Sequence, residues 1–196
     1  MIKRIFDFTM SFLGILILSP VFLLFSFLIK ITSKGPVFFL QNRVGLNGKV
    51  FKIIKFRSMR HEPLKKSSLI TQGSDDMRIT RLGKFLRKTK IDELPQLFNV
   101  LSGKMSLVGP RPEVEKYVKL YDRVQKKVLS VKPGITDLAS LEFRNEEELL
   151  KGVQNTEKYY IENIMPKKLT LNLEYISRRS FFFDLKIILK TVLKII

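Results

Sequence analysis

The chain has 196 residues, enough for one domain with a hydrophobic core but short for two domains and a membrane segment. It has no cysteine and a single histidine, His61, so disulfides, thiolate metal sites and a cysteine nucleophile are excluded and a zinc cluster is not expected. Lysine and arginine outnumber aspartate and glutamate by 36 to 18 while 45% of the residues are hydrophobic, which indicates an anionic partner, either nucleic acid or a bilayer with phosphorylated substrates.

The first predicted element is an apolar segment, Phe8 to Ile29, which runs for 22 residues without a formal charge. As a single helix it would be about 33 Å long, enough to cross a hydrocarbon core of about 30 Å. The run is too long for a secretory signal peptide, and no small-residue cleavage site precedes the charged stretch at 30–34. A membrane-associated segment is therefore expected.

Two features argue against a straight span. Ser19-Pro20 lies near the middle of the run, where proline removes a backbone donor and predicts a kink. Both flanks are basic, so the positive-inside rule gives no reason for the two ends to lie on opposite faces. The basic flanking residues are Lys3, Arg4, Lys30 and Lys34. The residues alone leave two possibilities open: a kinked span, or a re-entrant hairpin over residues 1–34 that bends at Ser19-Pro20.

Residues 35–196 are predicted to form one domain. Two short strands around the Gly45 to Gly48 turn predict a β-hairpin. Residues 61–80 are polar and predict a mobile surface loop whose aspartates are only solvated. Residues 81–101 predict a basic helix followed by a second helix, and residues 113–131 carry apolar side chains at helical spacing, which predicts a further helix there. The fold class is therefore α/β, mainly α.

The C-terminal part contains an acidic stretch and an amphipathic one. Residues 137–162 carry seven acids against three bases, and they either line a substrate mouth or form a solvated helix pair. Residues 181–196 place Lys186, Lys190 and Lys194 four residues apart among Phe, Leu, Ile and Val. This spacing predicts an interfacial membrane helix, and a core helix with a solvated lysine stripe is the alternative.

Candidate phosphate-site residues occur in two short stretches. Asp92 and Glu93 are adjacent acids that follow Arg87 and Lys90, while Arg111 lies between two prolines that restrict its neighbours. A nucleotide diphosphate site needs cations for the phosphates, oxygen ligands for a divalent metal, and a nucleophile or base. Each feature also has a simpler explanation, because adjacent acids at a helix start often serve as a cap and a dipole partner and an arginine often makes a structural ion pair.

The combination of motifs is more specific than its parts. The following motifs occur in order, nearly end to end: KRIFDF, LSP, GPVFFLQNRVG, FKIIKFRSM, LRKTKIDELPQLFNVLSGKMSLVGPRP, KPGIT and SFFFDLKIILKT. Together they closely resemble the bacterial sugar transferase family of small monotopic phosphoglycosyl transferases. The resemblance implies an enzyme that moves a sugar 1-phosphate from a UDP-sugar to polyprenyl phosphate, releases UMP and initiates glycan or glycoconjugate synthesis. It also favours the re-entrant hairpin, with residues 35–196 as a catalytic domain on the cytoplasmic face of the bacterial inner membrane.

The same resemblance implies roles for individual residues. Asp92 is implied as the nucleophile of a covalent phosphosugar intermediate and Glu93 as its acidic partner, with Mg²⁺ held beside these two carboxylates. An oxygen-only site flanked by cations also suits magnesium on chemical grounds. The positions that match the basic residues of the family's substrate pocket are Lys55, Arg87, Arg111 and Arg144. The implied partners are a UDP-sugar, polyprenyl phosphate and membrane lipids, without nucleic acid and with a homo-oligomer left open. The chain departs from many relatives in having Asn172, not an aspartate, three residues before Tyr175.

Three functions remain open from the sequence. The first is a two-step exchange through Asp92. The second is a membrane-tethered, non-catalytic binder of nucleic acid or anionic lipid that uses the net charge of +18. The third is a single-step metal-dependent transferase in which Asp92 and Glu93 only bind magnesium. Stoichiometric release of UMP from a UDP-sugar without any polyprenyl acceptor separates the first function from both others.

Overall fold

The computed structural model describes residues 1–60, 76–144, 146–150 and 152–195. In these residues the protein is mainly helical with a small amount of sheet, as the sequence predicts. The helices are α1 (Ile2–Ile17), α2 (Ser19–Thr32), α3 (Arg81–Lys88), α4 (Gln96–Leu101), α5 (Glu115–Val118), α6 (Leu138–Glu142), α7 (Glu146–Leu149), α8 (Thr156–Tyr159), α9 (Met165–Arg178) and α10 (Phe181–Ile195). The strands are β1 (Phe38–Val44), β2 (Val50–Phe56), β3 (Ser106–Val108) and β4 (Gly134–Thr136). Most of the predicted loop at 61–80 lies outside the described residues.

Helices α1 and α2 meet at Leu18 with a bend of 60°. Pro20 has no N–H for the carbonyl of Leu16, four residues before it, and the Ser19 hydroxyl donates to that carbonyl instead at 2.8 Å. The predicted break at Ser19-Pro20 is therefore confirmed as a helix bend. Within the described ranges no single helix is long and apolar enough to cross a bilayer, although the bent pair meets that criterion when both helices are counted together.

The α1–α2 pair buries one side and leaves the other uncovered. The inner side of α2 packs on β2 and α3 through Phe22, Phe25, Ile29, Phe56 and Leu86. Large apolar side chains on the outer side are exposed, among them Ile5, Phe8, Phe12, Leu16, Leu23, Leu24 and Phe27. A contiguous apolar surface of this kind marks a contact with a membrane or a protein.

Helix α10 has the amphipathic character that the sequence predicts. Ile187 on its inner face is buried in a cluster with Val108 and Tyr175. Its outer face exposes apolar side chains beside the predicted lysine stripe. The exposed residues are Phe182, Leu185, Leu189, Val192, Leu193, Lys186, Lys190 and Lys194. The apolar side chains beside the lysines are thus uncovered, and the interfacial placement of α10 stays a prediction.

Strands β1 and β2 form the predicted antiparallel hairpin, in register from Phe38 opposite Phe56 to Val44 opposite Val50. The turn contains two residues with left-handed backbone, Asn47 at φ 54° and Gly48 at φ 77°. Asparagine and glycine adopt this conformation at the lowest cost, which explains the Asn-Gly pair in the turn. The hairpin places Lys55 near the end of β2, facing the turn that carries the two acids.

The predicted helix over residues 113–131 is wrong. Only α5 and a 3₁₀ segment, Gln125–Ser130, form there. The two are separated by a reciprocal pair in which the Asp122 N–H donates to Gln125 Oε1 and the Gln125 N–H donates to Asp122 Oδ1. Such side-chain to backbone bonds compete with a continuous helix. Four of the apolar residues at helical spacing still reach the core, namely Val114, Tyr117, Tyr121 and Val128, whereas Val124 is exposed.

Several acidic residues that the sequence leaves as solvated are paired. Asp76 is buried and accepts a bond from Arg78 Nη2 at 2.6 Å, so the expectation that the aspartates of this segment are only solvated is wrong for Asp76. In the acidic stretch, Glu146 pairs with Lys168 at 2.5 Å. The basic excess of the chain supplies these partners, so part of the acidic stretch is structural.

Candidate functional site

The Asp92-Glu93 pair lies in a tight turn between α3 and α4. Lys90 ends the preceding segment with a left-handed backbone, φ 58°, and residues Ile91–Glu93 form a single 3₁₀ turn. Helix α3 sits close on the end of β2, because a Cβ added at Gly83 would lie 1.9 Å from the carbonyl oxygen of Ser58. Glycine at that position therefore lets α3 bring the acidic turn next to β2.

Glu93 lies between two cations. Its Oε1 accepts from Lys55 Nζ at 2.9 Å, its Oε2 accepts from Arg111 Nη1 at 3.1 Å, and Arg111 Nη2 also donates to Oε1. Burial opposes the charge of this carboxylate, but Arg111 and Lys55 outweigh burial and hold its pKa well below the usual range. The Glu93 carboxylate in turn raises the pKa of Arg111. Both oxygens of Glu93 are thus engaged.

Asp92 has the opposite environment. It is 7% exposed, and its Oδ1 is buried without a hydrogen-bond partner among the described residues. Burial, followed by repulsion from Glu93, raises the pKa of Asp92 from 3.8 to about 6, although Lys55, Arg87 and Lys90 oppose the shift. A buried carboxylate oxygen without a partner is uncommon in native proteins, and a catalytic role or a bound ion is among the accepted explanations for one.

The Arg111 backbone is fixed by the parallel β3–β4 pair. The Arg111 N–H donates to Asp137 Oδ2 at 2.9 Å, and the Gly134 N–H donates to the carbonyl of Pro110 at 3.0 Å. Gly109 and Gly134 face each other so closely that a Cβ on Gly134 would lie 2.1 Å from the Gly109 nitrogen. Glycine is therefore required in the VGPRP and KPGIT motifs because the two backbones lie too close for a side chain. This close packing places Arg111 next to Glu93.

A second ion cluster supports the far end of the same loop. Arg43 Nη1 donates to the carbonyl of Pro112 at 3.2 Å and to Glu113 Oε1 at 2.9 Å. The Tyr160 hydroxyl donates to Glu113 Oε2. These supporting residues and Asp137 are not among the predicted site residues. The signal for them was present, because Arg43 belongs to the QNRVG motif, Glu113 follows GPRP and Asp137 follows KPGIT.

The structure brings together four of the predicted site residues, Lys55, Asp92, Glu93 and Arg111. Arg87 lies in the last turn of α3 and acts on the charge of Asp92. Arg144 follows α6 and is exposed, and no bond joins it to the acidic turn within the described part of the chain. Its role in substrate binding stays a prediction. Asn172, the departure from the family pattern, is buried with its Oδ1 unpartnered among the described residues.

The donor set for magnesium is small. The described residues contain no group of three or more His, Asp or Glu side chains placed to hold a metal ion. Glu93 has both oxygens on cations, whereas Asp92 Oδ1 has no hydrogen-bond partner among the described residues. Magnesium commonly binds one or two carboxylates together with substrate phosphates and water. The residues present fit the ion only in that form, with a diphosphate completing the shell.

The fold and the site together define a mainly helical protein with a cation-lined carboxylate site and uncovered apolar helix faces. The chain belongs to the bacterial sugar transferase family, whose family model matches residues 1–196.

The chain is similar to several curated proteins. It is 42% identical over 197 residues to the UDP-glucose:undecaprenyl-phosphate glucose-1-phosphate transferase of Klebsiella pneumoniae, which covers 98% of this chain and 39% of that protein. It is 50% identical over 122 residues to the UDP-N-acetylgalactosamine-undecaprenyl-phosphate N-acetylgalactosaminephosphotransferase of Aeromonas hydrophila, across 62% of this chain and 29% of that one. It is 39% identical over 195 residues to the uncharacterized sugar transferase EpsL of Bacillus subtilis, across 100% of this chain and 87% of the relative. The first of these relatives is thus matched over about two fifths of its length.

Proposed function

We propose that the protein transfers a sugar 1-phosphate from a UDP-sugar to polyprenyl phosphate, in two steps through a covalent bond to Asp92, and so initiates the synthesis of a glycan or glycoconjugate. The observation that carries the proposal is the contrast within the acid pair. Asp92 has a buried oxygen that accepts no bond from the described part of the chain, while its neighbour Glu93 binds Lys55 and Arg111. Two relatives are named as undecaprenyl-phosphate sugar phosphotransferases, and they give the substrate class.

In the first step a carboxylate oxygen of Asp92 attacks the phosphorus that bears the sugar. The bond from that phosphorus to the oxygen bridging to UMP breaks, and UMP leaves with the electron pair. Arg111 and Lys55 each have N–H groups beyond those bound to Glu93, and these bind the phosphoryl oxygens. Glu93 orients the two cations. Since its pKa is held well below the usual range, Glu93 stays ionised and does not serve as a proton donor near neutral pH.

In the second step the phosphate of the polyprenyl carrier attacks the same phosphorus. The bond to Asp92 breaks, the phosphosugar passes to the lipid phosphate as a diphosphate, and the carboxylate is restored. For magnesium, Asp92 is the protein ligand that the geometry favours, and Glu93 is the second predicted ligand. Bound there with the diphosphate oxygens, the ion would offset negative charge on the phosphoryl group.

A lipid substrate requires that the site lie against one leaflet of the bilayer. The way in which the α1–α2 segment is attached to the rest of the chain supports this placement. Near its start, Arg4 of α1 donates to the carbonyls of Val100 and Leu101 at 2.7 and 2.9 Å. Near its end, Arg57, which directly follows β2, donates to the carbonyls of Ser33 and Lys34 at 2.8 and 2.6 Å. Both ends of the apolar segment are thus fastened to the same domain.

We therefore propose that α1 and α2 enter the bilayer and return to the cytoplasmic face as a re-entrant hairpin. A span that placed its ends about 30 Å apart on opposite faces could not keep both attachments. The exposed apolar sides of the hairpin and of α10 face the acyl region, and the lysines of α10 reach anionic headgroups. The oxygen of Leu16 that Pro20 leaves without a donor is satisfied by Ser19, as a lipid environment requires.

The experiment that tests the proposed reaction is intact-mass analysis of purified protein with a panel of UDP-sugars and no lipid acceptor. We expect one UDP-sugar to give a phosphosugar adduct and a stoichiometric amount of UMP, and polyprenyl phosphate to discharge the adduct. Asp92→Asn should give neither product, while the exposed Asp122→Asn should behave as wild type. UMP formation that needs the acceptor in every case would favour the single-step transferase, and no UMP under any condition would favour the non-catalytic binder.

A further inference from the structure

Strand β3 has an edge that no other strand of the described residues covers, and α1 lies along it. On one side β3 pairs with β4, with Ser106 opposite Gly134 and Val108 opposite Thr136. On the other side the Leu107 N–H donates to Asp7 Oδ1 at 3.1 Å, and Lys3 Nζ donates to the carbonyl of Val108 at 3.0 Å. Lys3 and Asp7 belong to the KRIFDF motif, to which the proposed reaction gives no role.

The Lys3 ammonium has a partner for each of its N–H groups. Besides the Val108 carbonyl it donates to the Tyr175 hydroxyl at 3.4 Å and to Asp184 Oδ2. The Tyr175 hydroxyl donates to Asp184 Oδ1 at 2.7 Å. Tyr175 and Asp184 are both buried, and Asp184 comes from the SFFFDL motif of α10. Side chains of α1 and α9 therefore meet at one backbone oxygen of β3, and Asp184 of α10 accepts from both of them.

That oxygen lies three residues before Arg111. The intervening Gly109 is packed against Gly134, and Pro110 has a fixed φ, so the chain from Val108 to Arg111 has few soft dihedral angles. A shift of β3 is thus carried to the Arg111 side chain and to its bonds with Glu93. Because the bonds from Lys3 and Asp7 come from α1, the position of β3 depends on the docking of that helix.

We propose that Lys3, Asp7 and Asp184 are positioning residues for Arg111, which they hold against Glu93 only when α1 is docked on the edge of β3. The inference rests on the proposed function for its catalytic consequence. Its structural part, the control of β3 by α1, stands independently. If the α1–α2 segment is displaced from the domain, Asp92 and Glu93 stay in place, but Arg111 is no longer held where it binds the phosphoryl group.

The structural part is tested by amide hydrogen exchange over residues 106–112 in detergent-purified protein. Lys3→Met should speed exchange of the Leu107 and Arg111 amides about tenfold, the effect of losing a bond to a charged group. The matched control is Lys30→Met, which removes the same charge from an exposed position on α2. Tyr175→Phe, which keeps the ring, should speed exchange in the same region if Lys3→Met does not fold. Exchange rates in this segment equal to those of wild type in both Lys3→Met and Tyr175→Phe would overturn the proposal.

The catalytic part is tested by a double-mutant cycle. Lys3→Met should lower kcat/KM about tenfold in the wild-type background and have little further effect in an Arg111→Lys background, because both changes disable the same group. Lys3→Arg should restore part of the activity. Equal losses in the two backgrounds would mean that Lys3 supports the fold generally and would overturn the positioning role. If wild type forms no UMP from any UDP-sugar, the proposed function fails, while the exchange measurement still decides the structural part.

Discussion

Replacing the proposed nucleophile should make the protein more stable. Asp92 is 7% exposed and has an unpartnered oxygen within the described residues, so its charged form is disfavoured in the folded state. Its pKa is raised from 3.8 to about 6 by burial and by Glu93. A carboxyl whose pKa is higher in the folded state favours folding at low pH. That contribution is complete below the unfolded pKa and is lost as pH rises through the folded pKa.

The size of this effect follows from the shift. The difference, 6 − 3.8, is about 2.2 pH units and corresponds to about 3 kcal/mol at about 1.4 kcal/mol per unit. An asparagine avoids the buried charge but leaves an amide with incomplete hydrogen bonding, which costs about 1 kcal/mol. Asp92→Asn should therefore gain about 2 kcal/mol near neutral pH, equivalent to about 4–8 °C in Tm for a chain of this size.

The assay is thermal unfolding followed by far-ultraviolet circular dichroism, since the chain has no tryptophan for fluorescence. The difference in Tm between Asp92→Asn and wild type should be largest above about pH 7 and shrink as pH falls toward 4. Asp137→Asn is the matched control, because Asp137 is also buried but accepts from the backbone N–H groups of Arg111 and Ser140. That variant should lose stability. An Asp92→Asn protein that is less stable than wild type near neutral pH would refute the reasoning.

Three further predictions concern the pH profile, Arg111 and the bend. As pH falls through about 6, kcat/KM should fall because Asp92 takes up a proton. Glu93→Gln should move this acidic limb of the pH–rate profile to lower pH because it removes a neighbouring negative charge. Measuring kcat/KM in a series of buffers checks both expectations. Arg111→Lys should lower kcat/KM about tenfold or more, since an ammonium cannot reproduce two parallel bonds, and a near-normal value in steady-state kinetics would make Arg111 structural. Replacing Ser19 and Pro20 with alanine should straighten the hairpin and expose a cysteine placed before Lys3 to an impermeant thiol reagent on the outer face, whereas the same cysteine in the unmodified hairpin should react only from the cytoplasmic side.

Features set by local chemistry were predictable from the sequence. The break between α1 and α2 follows from one missing N–H at Pro20. The turn of the β1–β2 hairpin follows from Asn47 and Gly48, which tolerate a left-handed backbone. Both effects act within a few residues of their cause. The helical spacing of residues 113–131 reported burial correctly for four of the apolar residues but not for the exposed Val124. It did not report the reciprocal bonds of Asp122 and Gln125, which end the helix.

The long-range part of the site was less accessible. The sequence brings out Lys55, Arg111 and the acid pair as candidates, but it does not say which acid receives the cations. That choice depends on the 3₁₀ turn after Lys90, which sets the direction of each acid. It also depends on the close contact of Gly109 with Gly134, which joins stretches far apart in the chain. The supports from Arg43, Glu113 and Asp137 were missed for the same reason, although each stands in or beside a quoted motif.

Two adjacent carboxylates of nearly equal intrinsic acidity become different reagents because the turn gives them different neighbours. Glu93 lies between Lys55 and Arg111 and is held ionised, which keeps both cations in place. Asp92 is buried beside that negative charge, and its Oδ1 accepts no hydrogen bond from the described residues, so its charged form is high in energy and gains most when it meets a phosphorus centre or a cation. Exchanging the order of the two acids would place the shorter side chain between the cations and the longer one in the buried position. Composition and net charge would be unchanged, yet the separation of roles, and with it the proposed two-step transfer, should be lost.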